Sequence, residues 1–276
     1  MTRLTVEDIG TIAAGLKDYD RELRAKTGRT LLGVACHAAS IPAKTIARRL
    51  GKIRLAVIPI SAGKGTIPGF SESLVAIGSH LGLNAFLAGA KDAAGVAEAV
   101  ERKANWLWMS DDDRFVLVDL MRRRVVDNSV ATGRGFAAGL DLMAGGVAGK
   151  PVAVIGCGPV GLNAARMLME FKAQVTLHDI RRRQAAAAAA VLGQEQVQIA
   201  TDFSEVVAGH DLLVDATNMG ALIPAMAITA STFIAAPGMP LGVTSEARAR
   251  LEDHLLHDPL PLGAATMVAM ALISGK

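Results

Sequence analysis

Residues Pro151–Ile180 read PVAVIGCGPVGLNAARMLMEFKAQVTLHDI. An apolar run, VAVI, leads directly into Gly156-Cys157-Gly158, a helix-length amphipathic segment follows, and a second β-rich run ends at Asp179. This is a βαβ unit with a glycine-rich first turn. GCGPVG is a weak pattern alone and a strong one between a strand and a helix. Gly156 permits the tight turn, Gly158 lets the backbone approach a pyrophosphate, and Gly161 allows helix and strand to pack closely. Pro159 and Val160 open the helix whose N-terminus would face the phosphates. Asp179 lies 18 residues after Gly161, where an acid would bind the ribose hydroxyls and repel a 2′-phosphate. That favours NAD over NADP, although Arg181–Arg183 beside it could hold such a phosphate.

Downstream, strand candidates at Leu212–Ala216, Thr232–Ala235 and Leu255–His257 alternate with helix-length segments, the pattern of a doubly wound parallel sheet over 150–276. Ligands of such sheets sit outside the C-terminal strand ends, so Ala216, Thr217, Asn218 and Pro237 are expected to line the cofactor crevice. Asn218 also suits an ordinary turn. The alanine run Ala185–Ala190 reads as a helix surface.

Upstream, residues 128–149 form a small-residue helix closing on glycines, a connection between domains. Residues 1–127 read as an α/β substrate domain. Thr5 and Asp8 cap an amphipathic helix over Val6–Leu23. The strand Arg54–Ile60 runs into the loop SAGKG (Ser61–Gly65), and a helix follows Pro68. Asn84–Leu87 and Trp106–Met109 are strands around a helix at Asp92–Arg102, Ser110–Arg114 is a loop, and Phe115–Asp119 is an edge strand.

The chain has 276 residues, 51% hydrophobic and 20% charged; that composition excludes intrinsic disorder. No apolar stretch approaches the ~20 residues that cross a bilayer. The first twenty residues resemble neither a secretory signal nor a transit peptide, so a cytoplasmic location is expected. Cys36 and Cys157 have no partners at metal spacing. At 4% aromatic residues the chain lacks a base-stacking surface, which argues against a nucleic-acid partner. The apolar helix 131–148 and the segment Ala264–Ile273 suit a homodimer surface or packing within the chain equally well. No metal site is expected, and no role falls to the six histidines.

The C-terminal dinucleotide domain behind ATGRGF (Ala131–Phe136), together with SAGKG, is similar to the amino-acid dehydrogenase superfamily. A closer resemblance, to the PylD family of pyrroline-forming dehydrogenases, runs along nearly the whole chain. It is carried by LTVEDI (Leu4–Ile9), IPISAGKGTIPGFSESL (Ile58–Leu74), MSDD (Met109–Asp112), VIGCGPVG (Val154–Gly161), ATNMGALIP (Ala216–Pro224), APGMP (Ala236–Pro240) and DPLPLGAATM (Asp258–Met267). The resemblance implies an NAD-dependent enzyme of pyrrolysine biosynthesis acting on the dipeptide-like 3-methyl-D-ornithyl-N6-L-lysine. Its terminal amine would be oxidised and lost as ammonia, and the pyrroline ring would close to L-pyrrolysine.

The same resemblance implies that Asp111 holds the substrate amine, that Ser61 hydrogen-bonds the substrate's amide or amines, and that Leu4 belongs to a segment closing over the substrate. Each residue also reads plainly: Asp111 as a solvated turn, Ser61 as a cap, and the first helix as ordinary packing. Ala62 stands where the family has a second hydroxyl, Lys64 where it has Asn, and Ser110 where it has Ala. Lys64 restores the superfamily's lysine, either as a base for attacking water or as a solvated loop charge. The rival readings are an amine or amino-acid dehydrogenase of ordinary range, using Lys64 and Asp111, and a non-catalytic NAD-binding sensor.

Overall fold

Gly10 and Thr11 interrupt the helix expected over Val6–Leu23, leaving α1 (Val6–Ile9) and α2 (Ile12–Thr27). The computed structural model describes residues 4–273. The capping expected at Thr5 is present: Asp8 N–H donates to Thr5 Oγ1, and Thr5 N–H donates to Asp8 Oδ2 at 2.7 Å. Two helices not read from the sequence follow, α3 (Leu31–Ala38) and α4 (Ala43–Leu50). They precede β1 (Arg54–Pro59), α5 (Phe70–His80), β2 (Asn84–Leu87), α6 (Asp92–Glu101), β3 (Trp106–Ser110), β4 (Phe115–Asp119) and β5 (Arg124–Asp127). One carboxylate joins three of these helices. Asp20 of α2 accepts the Leu31 N–H through Oδ1 at 2.6 Å and meets His80 Nε2 through Oδ2 at 2.8 Å.

The sheet order is β2-β1-β3-β4-β5, with β1, β2 and β3 parallel and β4 and β5 antiparallel. Phe115–Asp119 is therefore an inner strand, not the edge strand expected; β5 takes the edge. Buried Trp106 and Trp108 alternate with Leu107 along β3, and the rings of Trp108 and Phe115 lie 6.1 Å apart. Such aromatic pairing supports the β3–β4 hairpin that carries the Ser110–Arg114 loop.

The chain continues through α7 (Asn128–Met143), β6 (Pro151–Ile155), α8 (Pro159–Glu170), β7 (Gln174–His178), α9 (Arg182–Leu192), β8 (Val197–Ile199) and α10 (Phe203–Gly209). It then forms β9 (Leu212–Asp215), β10 (Phe233–Ala235), α11 (Ser245–Leu251) and β11 (Leu255–Leu256). These six strands are all parallel, in the order β11-β10-β9-β6-β7-β8. The order reverses between β6 and β9, the point where open α/β sheets bind ligands. The alanine run forms a helix as expected, but Ala185, Ala188 and Ala189 are buried and not a free surface.

The chain falls into two compact units whose boundaries differ from 1–127, 128–149 and 150–276. Residues up to Glu22, Thr30–Ala131 and the chain from Leu260 onward make the first unit, and Leu23–Arg29 with Thr132–Pro259 make the second. Two physical facts explain the difference. The last helix, α12 (Pro261–Ala271), is buried on nearly every side and packs on α3 of the first unit. Helix α7 is not a free connector, because from Thr132 onward it belongs to the second unit and Gly133 lies against α8.

Candidate functional site

The glycine turn after β6 shows which of its glycines are required and why. Gly156 has φ +86°, and a Cβ there would stand 2.9 Å from the Ala216 carbonyl. A Cβ on Gly161 would stand 1.8 Å from the Gly156 oxygen. Both are contacts with backbone that cannot yield. Gly158 is different: a Cβ there would meet nothing within 4 Å, so the second glycine borders open space at the N-terminus of α8. This is the division of labour that a bound pyrophosphate needs, with two glycines for packing and one for approach.

Asp179, just past β7, turns its carboxylate to this loop. Its Oδ2 accepts the Cys157 N–H at 2.8 Å and its Oδ1 accepts the Arg181 N–H at 2.8 Å. Arg181 Nε lies 3.8 Å from the same Oδ1. Gln184 Nε2 completes the link by donating to the Cys157 carbonyl at 3.2 Å. The side chain of Asp179 is only 7% exposed, so this acid is built into the turn. Ile180 beside it is 84% exposed.

The loops after β9 and β10 close on each other. Asp215 ends β9 and accepts both the Thr217 N–H at 3.1 Å and the Thr217 hydroxyl at 2.8 Å through Oδ1, an Asx turn that shapes Ala216-Thr217-Asn218. A Cβ on Gly238 would stand 2.1 Å from the Thr217 oxygen, which seats the segment following Pro237 against that turn. Asp215 is fully buried, and its Oδ2 has no hydrogen-bond partner among the described residues. Burial pushes its carboxyl above the ordinary carboxylate range, opposed by the Thr217 bonds and by His257. His257, past the end of β11, meets the Ala236 carbonyl through Nδ1 at 2.7 Å. His257 was missed by sequence reasoning, and Asp215 was read only as the start of the loop that lines the crevice. The acid that ends the apolar run LLVD was the available signal for the burial of Asp215.

In the first unit the loop Ser61–Gly65 follows β1 at the C-terminal end of the parallel strands. Two carboxylates, one at the start of a helix and one on a loop, grip it. Asp92, the first residue of α6, accepts the Ser61 N–H at 2.8 Å and also the Ser61 hydroxyl. Asp112, from the β3–β4 loop, accepts the Lys64 N–H at 2.7 Å. A Cβ on Gly63 would collide with the Asp112 carboxylate, and Gly63 has φ +70°. Ala62 closes the turn by accepting the Gly65 N–H. Ser61, Ala62 and Lys64 are exposed.

Asp111 is also exposed, and its Oδ1 accepts the N–H groups of Asp113 at 2.9 Å and Arg114 at 2.7 Å. One oxygen, Oδ1, thus builds the turn. The Ser110 hydroxyl donates to the Asp111 carbonyl, at 3.4 Å. Leu4 is half-buried. Asp92 and Asp112 escaped the sequence reading because the pairing of three separate segments leaves no local pattern. Among the described residues no group of His, Cys, Asp and Glu is arranged to hold a metal ion. Both cysteines are free and buried, and burial pushes Cys36 up to about 11 and Cys157 up to about 12.

Two family models divide the chain where α7 begins. Residues 8–126 match the N-terminal domain of the pyrrolysine biosynthesis protein PylD, and residues 129–246 match the C-terminal domain of alanine dehydrogenase/PNT. The pyrrolysine synthase of Methanosarcina barkeri (strain Fusaro) is 27% identical over 99% of this chain and 98% of its own. That of Methanosarcina acetivorans is 27% identical over 97% and 98%. The PylD model and both pyrrolysine synthases thus match this chain, the first over its N-terminal part and the other two along nearly its whole length. Among solved structures, quinate dehydrogenase from Corynebacterium glutamicum in complex with NAD superposes with a TM-score of 0.54 at 18% identity, covering 80% of this chain and 94% of that one. Shikimate 5-dehydrogenase from Thermus thermophilus in complex with NADP(H) and shikimate gives 0.54 at 20%, covering 80% and 92%. These two likenesses establish the Rossmann-type fold of this chain. No helix among its described residues is long and apolar enough to cross a membrane.

Proposed function

We propose that the protein catalyses the last step of pyrrolysine formation, the NAD-dependent oxidation of the terminal amine of 3-methyl-D-ornithyl-N6-L-lysine with loss of ammonia and closure of the pyrroline ring. The observation that carries this reading is the match to pyrrolysine synthases along nearly the whole chain, with the PylD-specific model falling on the unit that holds Ser61 and Asp111. A biosynthetic enzyme with a small, doubly cationic substrate agrees with a cytoplasmic location and with the absence of a nucleic-acid partner.

The glycine turn fits a dinucleotide, since Gly158 borders open space where Gly156 and Gly161 do not. Gly156, Gly158, Pro159, Val160 and Gly161 would hold the pyrophosphate, Asp179 the adenosine ribose, and Ala216, Thr217, Asn218 and Pro237 the nicotinamide half. Bound there, NAD supplies the hydride acceptor that turns the amine into an imine. A carboxylate built into the turn at Asp179 disfavours a 2′-phosphate, which supports NAD over NADP.

The ammonium group must lose a proton before it can be oxidised, and the exposed Asp111 is the carboxylate that would pair with it and take that proton. Ser61 would hold the amine in place. Water then attacks the imine carbon, ammonia departs, and the aldehyde condenses with the α-amine and releases one water. Lys64 could act as the base for the attacking water only if substrate binding took it out of solvent; exposed as it is, on a loop whose backbone Asp112 fixes, it stands as a solvated charge. Ala62 and Ser110 would shape the pocket wall, and Leu4 would close over it.

The test is NADH absorbance on mixing protein, NAD and the dipeptide, with mass spectrometry of the product. Pyrrolysine formed with NADH supports the reading; equal rates with common amino acids would replace it with a broad amine dehydrogenase. Asp111→Asn keeps the turn acceptor and removes the charge, so kcat should fall by about 100-fold or more while NAD affinity stays unchanged.

A further inference from the structure

The Ser61 side chain has one proton to give, and the structure shows where it goes. Both donors of Ser61, its N–H and its O–H, end on the carboxylate of Asp92. Asp92 is a fixed partner. It occupies the left-handed region at φ +53°, unusual for a residue with a Cβ. Its loop is braced by Glu98, which accepts the Ala90 N–H at 2.9 Å and Arg102 Nη1 at 2.7 Å. Although it begins α6, Asp92 does not cap that helix but reaches across to the β1 loop. The Ser61 hydrogen bonds hold its carboxyl below the usual range, so it is a carboxylate and cannot donate back.

A hydroxyl whose proton is committed to a carboxylate offers only lone pairs to anything else. We propose that Asp92 is a positioning residue that sets the polarity of Ser61, making its Oγ an acceptor that recognises an ammonium or amide N–H and turns away a carboxylate. The inference rests on the reading that the Ser61–Gly65 loop touches the substrate. It explains why a side chain that itself need not touch the substrate is held in an unfavourable backbone conformation. It also gives the loop a basis for choosing the amine end of an amino-acid-like molecule over its acid end.

Asp92→Asn separates polarity from bracing. An asparagine accepts the Ser61 N–H through its oxygen and donates its amide N–H to Oγ, so the loop stays braced while the hydroxyl is turned round. Calorimetric binding of 3-methyl-D-ornithyl-N6-L-lysine should weaken by about tenfold in D92N, as much as in D92A, with kcat within about twofold. In an S61A background, D92N should add no further loss. Wild-type binding by D92N would overturn the inference, since bracing alone would then suffice, and so would additive losses in the double variant. Binding with this pattern but without NADH formation would overturn the proposed reaction and leave the inference standing. Wild-type protein that does not bind the dipeptide would overturn both.

Discussion

The backbone N–H of Cys157, inside the glycine turn, donates to Oδ2 of Asp179 at 2.8 Å. The acid that would read the ribose is therefore also a support of the loop that would hold the phosphates. Removing it should do two things at once. Asp179→Asn keeps an acceptor for the turn and removes the charge, leaving Arg181, Arg182 and Arg183 beside the site. NAD affinity should fall by about tenfold or more and NADP affinity should rise, as read by fluorescence titration of each cofactor. A ratio of affinities that does not move would count against the placement of the ribose at Asp179.

Asp215 makes stability depend on pH in a definite sense. Its folded-state pKa is raised above the unfolded value by burial, so its contribution is fully present below the ordinary carboxylate range. It is lost as pH rises through the folded pKa. Asp215→Asn retains an acceptor for Thr217 and has no such loss. Urea denaturation of both proteins at pH 4 and pH 8 should show the variant gaining on the wild type as pH rises. A difference equal at both pH values would show that Asp215 ionises freely.

Gly133 sits where α7 meets α8, and a Cβ there would lie 2.3 Å from the Val160 oxygen and 2.7 Å from the Ala164 nitrogen. Those are backbone atoms of a helix, so the strain of Gly133→Ala must be taken up by moving α7. The expected cost is about 1–3 kcal/mol, visible as a lower urea midpoint. A midpoint equal to the wild type would mean that the two helices separate without loss.

The thiols should be inert. With Cys36 pushed up to about 11 and Cys157 up to about 12, almost no thiolate exists at pH 8. Iodoacetamide at that pH should leave the native protein unlabelled by mass spectrometry and label both cysteines once it is unfolded. Rapid labelling of native Cys157 would place it in an open turn.

How much of this was legible depended on whether the physical cause was local. The turn Gly156–Gly161 could be read because strand, turn and helix are neighbours in sequence and each glycine has a backbone reason. The two-residue break at Gly10 and Thr11 and the three-residue strand β8 were too short to leave a period. Helix α12 has no polar face, so its pattern could not say which unit it belongs to. Asp111 was singled out from its triplet, yet its neighbour Asp112 and the distant Asp92 hold the Ser61–Gly65 loop. Those bonds join residues 31 and 48 positions apart, and separation of that kind leaves no trace in spacing.

The return of α12 to the first unit has a consequence for how the protein is made. A ribosome delivers residues 132–259 before it delivers the helix that packs on α3, and the second unit has all its strands by then. The first unit must wait, with the apolar surface of α3 uncovered, until its last helix emerges. The part of the chain synthesised first is the part whose core closes last, and a released chain truncated after residue 259 would carry all the strands of the second unit while the first lacked the helix that packs on α3.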